Sequence, residues 1–395
     1  MTRSPDLSRV VNIDGKGQGM RAVRDVKPGE CILAEEPLIS FTPIQKDIIY
    51  QKEWLMPQKG PNGKALANGR DTIAADIRKL SPMARTKFRK LHGTSPRQDG
   101  RVYTETDEGY RDHDLRRVAL NAFSEIENIN GLLYSVERVY NKISRFNHSC
   151  KPNAVMSWNK NLQKGTVYAI TPIRDGEEVT ITYCCDPQIQ FSSIRKRCTF
   201  LQTGYSFVCT CPACGSEEVL DRKAQHVLQP TTRTRSRRGQ TETESEKDME
   251  LRLRLKDLHA DIKFDMIPSK IKKSTPEQVE QIENERQDQL ALLDEYIEII
   301  TTVGIRDAML ASVHEAKAKN LELGRHTAQQ SQELGNEAPA NLPHGPSQSF
   351  LREALEEWDK CLNVHLRCSG AEHPHSRSVL AEITRMKLEL VRFDV

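Results

Sequence analysis

Three short segments constrain this chain more than any other feature of its sequence. In chain order they are 145–154, 176–183 and the cysteine run 209–214. Pro152 disfavours helix at the residue before it, so the first segment is expected to be a loop. The second alternates polar and apolar residues after a glycine turn, which predicts a strand that ends on Tyr183. The third places three thiols within six residues, and these can converge on one tetrahedral metal ion if a distant fourth ligand joins them.

The composition excludes several classes of protein. A chain of 395 residues has room for two or three domains and at least one sizeable core. Its longest apolar runs fall far short of the ~18–20 residues that cross a bilayer, and its polar N-terminus has no signal-peptide core, which predicts neither a membrane span nor secretion. Ten cysteines then indicate buried thiols and metal ligation more than disulfides. A net charge of +3 gives little support to general nucleic-acid binding.

The pattern of apolar residues predicts strands at both ends of a helical insertion. Residues 10–41 indicate short strands and turns, 42–115 are mostly helical, and 118–143 are predicted to be helical with an interruption at 128–131. Strands are expected again at 154–158 and 166–170, followed by a short helix over 192–201. Residues 230–247 are poor in apolar side chains and indicate a flexible linker. The rest of the chain has apolar residues at helical spacing, without a clear repeat period.

Together these segments resemble the SET-domain lysine methyltransferases, in particular the SMYD-like branch. The resemblance covers roughly residues 8–216, and it implies an α+β fold of small sheets with a helical insertion, a post-SET zinc site and a C-terminal domain of helical hairpins. The MYND zinc finger of that branch is missing, because no cysteine occurs between Phe41 and Ala119. The implied domains are 8–41 and 119–187 for the two parts of the SET domain, 42–118 for the insertion, 188–216 for the post-SET segment, 228–248 for the linker and 249–395 for a TPR-like helical domain.

Methyl transfer to lysine sets requirements that Tyr183 can meet. A free lysine has a pKa near ~10.4, so making its amine neutral at pH 7 costs on the order of 4–5 kcal/mol, and desolvation in an apolar channel narrows that gap. The expected site is therefore aromatic and poor in acids, with oxygen atoms that orient the amine. By resemblance Tyr183 lies beside the transferring methyl group and is the catalytic residue. Taken without the upstream 145–154 segment, it is more often a strand-end tyrosine that packs through its ring.

The resemblance also implies which residues bind S-adenosyl-L-methionine. Asn147 and His148 contact the cofactor in that family, although an isolated Asn-His pair is more often a capped turn with a satisfied histidine. The segment 16–22 resembles the N-terminal signature in which a basic residue and glycines wrap the cofactor, although a Gly-x-Gly alone is usually a turn. Two further contacts, one an asparagine and the other an aromatic ring that stacks on adenine, are implied at Asn121 and Phe207. The implied cofactor residues are thus Lys16, Gly17, Gln18, Gly19, Asn121, Asn147, His148, Tyr183 and Phe207.

Two more sets of residues follow from the resemblance. The lysine channel is expected to be walled by Phe123, Tyr183 and Tyr205, although aromatic residues near a metal are often simply core. The zinc ligands are expected to be Cys209, Cys211 and Cys214, with Cys150 of the Asn-His-Ser-Cys loop as the fourth. Two alternatives remain open, namely a reactive thiol cluster and a site completed by Cys198.

The favoured function is an S-adenosyl-L-methionine-dependent protein-lysine N-methyltransferase that acts on a histone or another protein. The alternative is an adaptor that keeps the SET scaffold and binds protein partners through its helical tail. Nucleic-acid binding through the basic run 233–238 is disfavoured, because the run lacks aromatic residues and acidic residues follow it. The expected location is the nucleus, the cytoplasm or both, without a membrane.

Overall fold

The computed structural model describes residues 6–41, 69–93, 110–129, 132–215, 244–264, 274–333 and 346–393. The basic run 233–238 and most of the predicted linker lie outside these residues. The last residues of the 228–248 linker lie within them, and there a helix begins at Glu244, so the linker was predicted to extend too far. The helix begins earlier because Glu244–Lys247 continue into a segment with strong helix formers.

Ten short strands in the described part of the chain form three small sheets. The strands are β1 Ser8–Ile13, β2 Gly17–Ala22, β3 Cys31–Glu35, β4 Ile39–Phe41, β5 Ala122–Ile129, β6 Leu132–Val139, β7 Asn147–His148, β8 Ala154–Asn159, β9 Lys164–Ala169 and β10 Glu178–Ile181. The sheets have the orders β1-β2-β10-β7, β3-β9-β8 and β4-β6-β5. β7 and β10 pair in parallel, whereas the other pairs are antiparallel. This pairing brings two of the three motif segments, far apart in sequence, side by side.

The segment 118–143 was predicted to be helical, and that prediction was wrong for most of it. A helix ends at Asn121, and β5 and β6 then form an antiparallel hairpin from Ala122↔Val139 to Ile129↔Leu132. Many apolar residues here are three positions apart, which imitates one face of a helix. Cross-strand pairing decides the outcome, since Glu127 forms an ion pair with Arg138 across the hairpin.

The insertion contributes three described helices: α1 Gly69–Lys79, α2 Pro82–Arg89 and α3 Tyr110–Asn121. Ser81 caps α2, because its side chain accepts a hydrogen bond from the Ala84 amide and Pro82 occupies the first helical position. The helices share a small core with β4 and β6 that contains Ile73, Phe88 and Val139. The insertion therefore packs against the same hairpin that carries Phe123.

The other described helices follow β10, and those from Glu244 onward pack against the β-rich part. They are α4 Pro187–Gln190, α5 Ile194–Tyr205, α6 Glu244–Asp261, α7 Pro276–Thr302, α8 Ala308–Glu333, α9 Pro346–Ser369 and α10 Pro374–Phe393. The predicted helix over 192–201 begins two residues later and continues to Tyr205. The helices α6–α10, called the C-terminal helices below, share one core. No helix in the described ranges is long and apolar enough to cross a membrane.

One turn joins the C-terminal helices to the strands. Between α9 and α10, Gly370 adopts a φ of +79°, which glycine tolerates best, and the ring of Tyr168 leaves no room for a side chain there. The His373 ring is hydrogen-bonded through Nε2 to the Trp158 carbonyl of β8 at 3.1 Å, and Asn161 donates to the Glu372 carbonyl at 2.7 Å. These contacts dock the turn between α9 and α10 on β8 and β9.

Candidate active site and thiol cluster

A cleft of about 710 Å³ separates the strands from the C-terminal helices. One wall comes from β5, from the chain just after β10 and from the end of α5; the other comes from α6 and α8. The side chains that define the two walls are Phe123, Glu125, Tyr183 and Tyr205 on the first, and His259, Asp307, Glu315 and Lys319 on the second. All three residues that the sequence assigned to a lysine channel thus line one cleft.

Tyr183 is held rigidly at the end of this cleft. It follows β10 by two residues, and its hydroxyl donates a hydrogen bond of 2.7 Å to the Phe146 carbonyl. Its ring centroid is 4.8 Å from that of Tyr205 and 6.3 Å from that of Phe207. Burial raises the pKa of the Tyr183 phenol, with smaller contributions from Tyr205 and Glu178. The phenol is therefore neutral and fixed, and its oxygen still has lone-pair capacity for a ligand N–H.

Local backbone geometry places two further rings around Tyr183. Tyr205 is the last residue of α5, and Ser206 caps the helix in a left-handed conformation with φ +64°. The chain reverses there, so Tyr205 and Phe207 both contact Tyr183. On the other side, Phe123 packs edge-on against Tyr140 with ring centroids 5.9 Å apart. Phe207 contacts Tyr183 and His148 and does not line the cleft itself.

The His148 ring is occupied by the protein. Its Nδ1 accepts the Tyr183 amide at 2.9 Å, which leaves Nε2 as the protonated nitrogen, 3.2 Å from the Cys150 sulfur. The ring is buried and 5.3 Å from that of Tyr183. The sequence assigned His148 to cofactor binding, and only its backbone is left for that role. Its side chain instead links the Tyr183 backbone to the thiol cluster.

A carboxylate that the sequence analysis did not assign organises the predicted cofactor residues. Glu178 accepts from Asn147 Nδ2 at 2.9 Å and forms an ion pair with Lys16 at 2.7 Å. Gly19 packs so closely that an added Cβ would lie 2.5 Å from Asn147 Nδ2. Gly17 has a φ of +72° and open space where a side chain would be. The Gly-Glu-Glu segment at the start of β10 predicts a strand. It does not indicate which side chains its second glutamate, Glu178, binds.

Gln18 and Asn121, two further predicted cofactor residues, form hydrogen bonds with different parts of the protein. The Gln18 side chain accepts a hydrogen bond from Arg145, so it belongs to the same surface as Lys16. The Asn121 amide nitrogen donates to the carbonyls of His92 at 2.6 Å and Arg117 at 2.7 Å, so both of its hydrogens are used within the protein. Asn121 lines the cleft, and its carbonyl accepts the Ser144 hydroxyl. Its local role is to join α3 to the turn that precedes Asn147.

The four cysteines that the sequence selected lie together. The Sγ atoms of Cys150, Cys209, Cys211 and Cys214 are all within 4.8 Å of one another. Cys150 and Cys214 are 3.6 Å apart, close to the ~3.8 Å edge expected for four Zn–S bonds of ~2.3 Å in a tetrahedron. All ten cysteines are free thiols. The residues fit a zinc ion, and Cys198 lies outside this group of four, although its thiol hydrogen-bonds to Cys214.

Two buried arginines and the neighbouring thiols stabilise the cluster. The pKa of Cys150 lies well below its usual value because the Cys184 thiol, followed by Cys209 and Cys211, donates hydrogen bonds to its sulfur. Arg197 is buried, and its guanidinium lies 3.8 Å from the Cys214 sulfur. Arg252 of α6 is also fully buried and donates to the Cys150 carbonyl at 3.2 Å. Neither arginine was predicted from the sequence, because the burial of an arginine depends on partners that are distant in the chain.

Comparison with known proteins agrees with this geometry. Residues 17–184 match the family model of the SET domain, and this match contains Asn147, Glu178 and Tyr183. This part of the chain is thus similar to a SET domain. Among SET proteins, the chain is similar to SMYD and SET5 proteins.

The relatives share only part of their length with this chain. It is 38% identical over 80 residues to "Histone-lysine N-methyltransferase set5" of Schizosaccharomyces pombe, covering 20% of this chain and 24% of the relative. It is 41% identical over 73 residues to human "Protein-lysine N-trimethyltransferase SMYD5", covering 18% and 17%. For human "Protein-lysine N-methyltransferase SMYD4" the values are 35% over 79 residues, covering 20% and 9%. The aligned part therefore spans about a quarter or less of these relatives.

A solved structure was also found at low similarity. The structure of Rubisco LSMT bound to sinefungin and monomethyllysine aligns with a TM-score of 0.32 and 10% identity, covering 100% of this chain and 90% of that one. A TM-score this low does not establish a shared fold. The fold assignment depends on the strands and helices described above and on the SET-domain match.

Proposed function

We propose that this protein is a protein-lysine N-methyltransferase that uses S-adenosyl-L-methionine. The observation that carries the proposal is the environment of Tyr183, whose neutral phenol is fixed by the Phe146 carbonyl beside the rings of Tyr205 and Phe207 at one end of a cleft. The names of the SET5, SMYD5 and SMYD4 relatives, all lysine methyltransferases, support the same activity. The site also contains the aromatic walls that the chemistry needs.

The cleft can deliver a lysine side chain in its reactive form. Neutralising a free lysine at pH 7 costs on the order of 4–5 kcal/mol, and loss of water among aromatic rings lowers this cost because the ammonium ion is disfavoured there. Phe123, Tyr183 and Tyr205 provide such a surface. The Tyr183 oxygen can accept a hydrogen bond from the amine and so orient its lone pair. Positioning of this kind can supply much of the rate acceleration.

The described residues fit the cofactor. The segment 16–19, at the start of β2, leaves open space beside Gly17, while Gly19 lies against Asn147, and Glu178 joins Asn147 to Lys16. These groups would hold the amino-acid part of S-adenosyl-L-methionine, and Phe207 together with the His148 backbone would hold its adenine. When bound, the cofactor supplies an electrophilic methyl group on a sulfonium ion. The chain's own role is to bind it, orient the amine and exclude water.

We further propose that the Cys150, Cys209, Cys211 and Cys214 thiols hold a structural zinc ion. Such an ion would join the Asn-His-Ser-Cys loop to the segment that carries Phe207, and the His148 ring, which lies 3.2 Å from the Cys150 sulfur, would extend this support to Tyr183. The substrate is proposed to be a lysine side chain of a histone or another protein. Free thiols are compatible with work in the nucleus or cytoplasm, where thiols stay reduced.

Methyl transfer from labelled cofactor tests the proposal. The purified chain is incubated with histones and with a cell lysate, and methylated lysines are identified by mass spectrometry. Tyr183→Phe is expected to lower the rate by about 100-fold or more, in line with the loss of one positioned hydroxyl group. Tyr168→Phe is the matched control, since Tyr168 lies on β9 outside the cleft, and it should keep normal activity.

Two results would contradict the proposed function or the proposed role of Tyr183. If wild-type protein binds the cofactor in calorimetry but methylates no lysine in either substrate pool, the proposal is wrong and a SET-scaffold adaptor is favoured. Equal activity of Tyr183→Phe and wild-type protein would contradict the role of the phenol while leaving the overall activity intact.

A further inference from the structure

A second group of metal-binding side chains lies among the C-terminal helices, apart from the four-cysteine cluster. Glu315 on α8 and the pair Cys361 and His365 on α9 each offer one ligand atom, and these atoms all lie within 4.8 Å of one another. Cys361 and His365 are four residues apart, so they share one face of their helix. The facing helix supplies the carboxylate. Packing of α8 on α9 therefore brings the Glu315 carboxylate to the other two ligand atoms.

The donor set suits a divalent cation of the zinc type. Thiolate, imidazole and carboxylate are all established zinc ligands, with bonds of about 2.0–2.3 Å. A tetrahedral ion therefore needs donor atoms about 3.3–3.8 Å apart. The ligand atoms lie at most 4.8 Å apart, so they need to approach by about 1 Å to bind one ion, and small rotations of the side chains can supply this movement.

Burial and contacts also favour a bound ligand here. Cys361 is fully buried and His365 is 7% exposed. No residue in the described ranges hydrogen-bonds to the His365 ring, which instead stacks on His375 with centroids 5.7 Å apart. Since no described residue engages its nitrogens, the imidazole can bind an ion without first breaking a hydrogen bond.

The Glu315 side gives access from solvent. Glu315 lines the cleft, and its carboxylate pairs with Lys319 at 2.7 Å, where both side chains are more than one third exposed. Such an exposed ion pair is weak, so a divalent cation can displace the ammonium group. With Glu315 and a Cys361 thiolate as ligands, a doubly charged cation would be neutralised within the site.

We propose that Glu315, Cys361 and His365 form a second zinc-type metal site, with a fourth position open to water from the cleft. A metal ion there would tie α8 to α9 and so fix the cleft wall that faces Tyr183. Three protein ligands and one open position distinguish this site from the closed four-cysteine cluster. The proposal does not depend on the methyltransferase activity.

Zinc content measured on the full-length chain tests the site. Protein saturated with zinc and then desalted is analysed by mass spectrometry for bound metal, alongside Glu315→Gln, which keeps the side-chain shape and removes the charge. Wild-type protein is expected to hold one equivalent more than Glu315→Gln and Cys361→Ser. Cys368→Ser is the matched control, because Cys368 is another buried thiol of α9, bonded to the Arg306 carbonyl and outside the group. It should keep the full metal content.

Cobalt substitution adds a direct readout of the ligands. Thiolate-to-cobalt charge-transfer absorption should fall by about one fifth in Cys361→Ser, since one of five thiolate ligands in the two sites is removed. Circular dichroism of each variant verifies its fold. Equal zinc content in wild-type protein and Glu315→Gln, with both folded, would overturn the proposal, as would a wild-type cobalt spectrum that Cys361→Ser leaves unchanged.

Discussion

Arg252 joins the C-terminal helices to the thiol cluster, and its replacement by methionine is a stringent test of that connection. The guanidinium is fully buried and donates three hydrogen bonds, to the Cys150 carbonyl at 3.2 Å, to the Gln190 carbonyl at 3.1 Å and to Asp248 at 2.7 Å. Methionine keeps the apolar stem and removes every donor. The two carbonyls are then left without these partners, while Asp248 is partly exposed and can turn to water.

The magnitude follows from the carbonyls. A buried acceptor that loses its donor costs about 1–3 kcal/mol, so Arg252→Met is expected to lower the free energy of unfolding by at least about 2 kcal/mol. For a folding unit of about 150–250 residues, this corresponds to a decrease in Tm of at least roughly 4 °C. Because Cys150 is also a proposed zinc ligand, loss of its backbone anchor should accelerate metal release as well.

Thermal unfolding and zinc release to a chromogenic chelator measure both effects. Arg254→Met is the matched control: it lies two residues along the same helix, is exposed and pairs with Glu295, so its Tm and zinc release should equal those of wild-type protein. A Tm decrease in Arg252→Met no larger than that of the control would refute the reasoning. So would normal zinc release from a variant with a clearly lowered Tm, because metal binding would then be independent of this contact.

Two further predictions concern the cofactor surface and the cleft. Gly19→Ala should weaken cofactor binding by roughly 10-fold or more in calorimetry, because the new Cβ would lie 2.5 Å from Asn147 Nδ2. Gly204→Ala is the control, since there is open space around Gly204, and it should bind the cofactor normally. Equal affinities of the two variants would contradict the role of close packing at Gly19. Burial raises the pKa of Glu125 to about 7, so this carboxyl stabilises the fold fully below pH 4.5 and loses that contribution as the pH rises through about 7. Wild-type Tm should therefore fall relative to that of Glu125→Gln between pH 5 and pH 8, by the equivalent of about 3 kcal/mol at most; parallel Tm curves would exclude the shift.

Local sequence identified the chemistry more reliably than the architecture around it. The SMYD-like SET assignment and the α+β fold class were predicted from the motifs and are confirmed by the family match and by the described elements. The hairpin from Ala122 to Val139 was predicted as helix, because apolar residues three positions apart fit a helical face as well as they fit paired strands. Only pairing with a partner strand separates these cases, and periodicity in a single segment cannot report it.

Glu178 and Arg252 show a second limit of the sequence. Each is an ordinary charged residue in its local context, and its role depends on atoms far away in the chain: Lys16 is 162 residues from Glu178, and Cys150 is 102 residues from Arg252. The Glu315, Cys361 and His365 group follows the same rule, since Glu315 is on a different helix from the other two. Long-range contacts decide which of many charged side chains are buried and paired.

The amino-acid sequence by itself determined the donor atoms: a phenol that closes a strand, a loop of Asn-His-Ser-Cys and three closely spaced thiols. These are local patterns, because hydroxyl and thiol chemistry depends on residue type and on spacing over a few positions. The tertiary structure alone decided that Glu178 links Asn147 to Lys16, that Arg252 is buried against the Cys150 carbonyl and that α8 closes one side of the cleft. Those arrangements result from packing between segments 31 or more residues apart, where burial and hydrogen-bond satisfaction select one geometry.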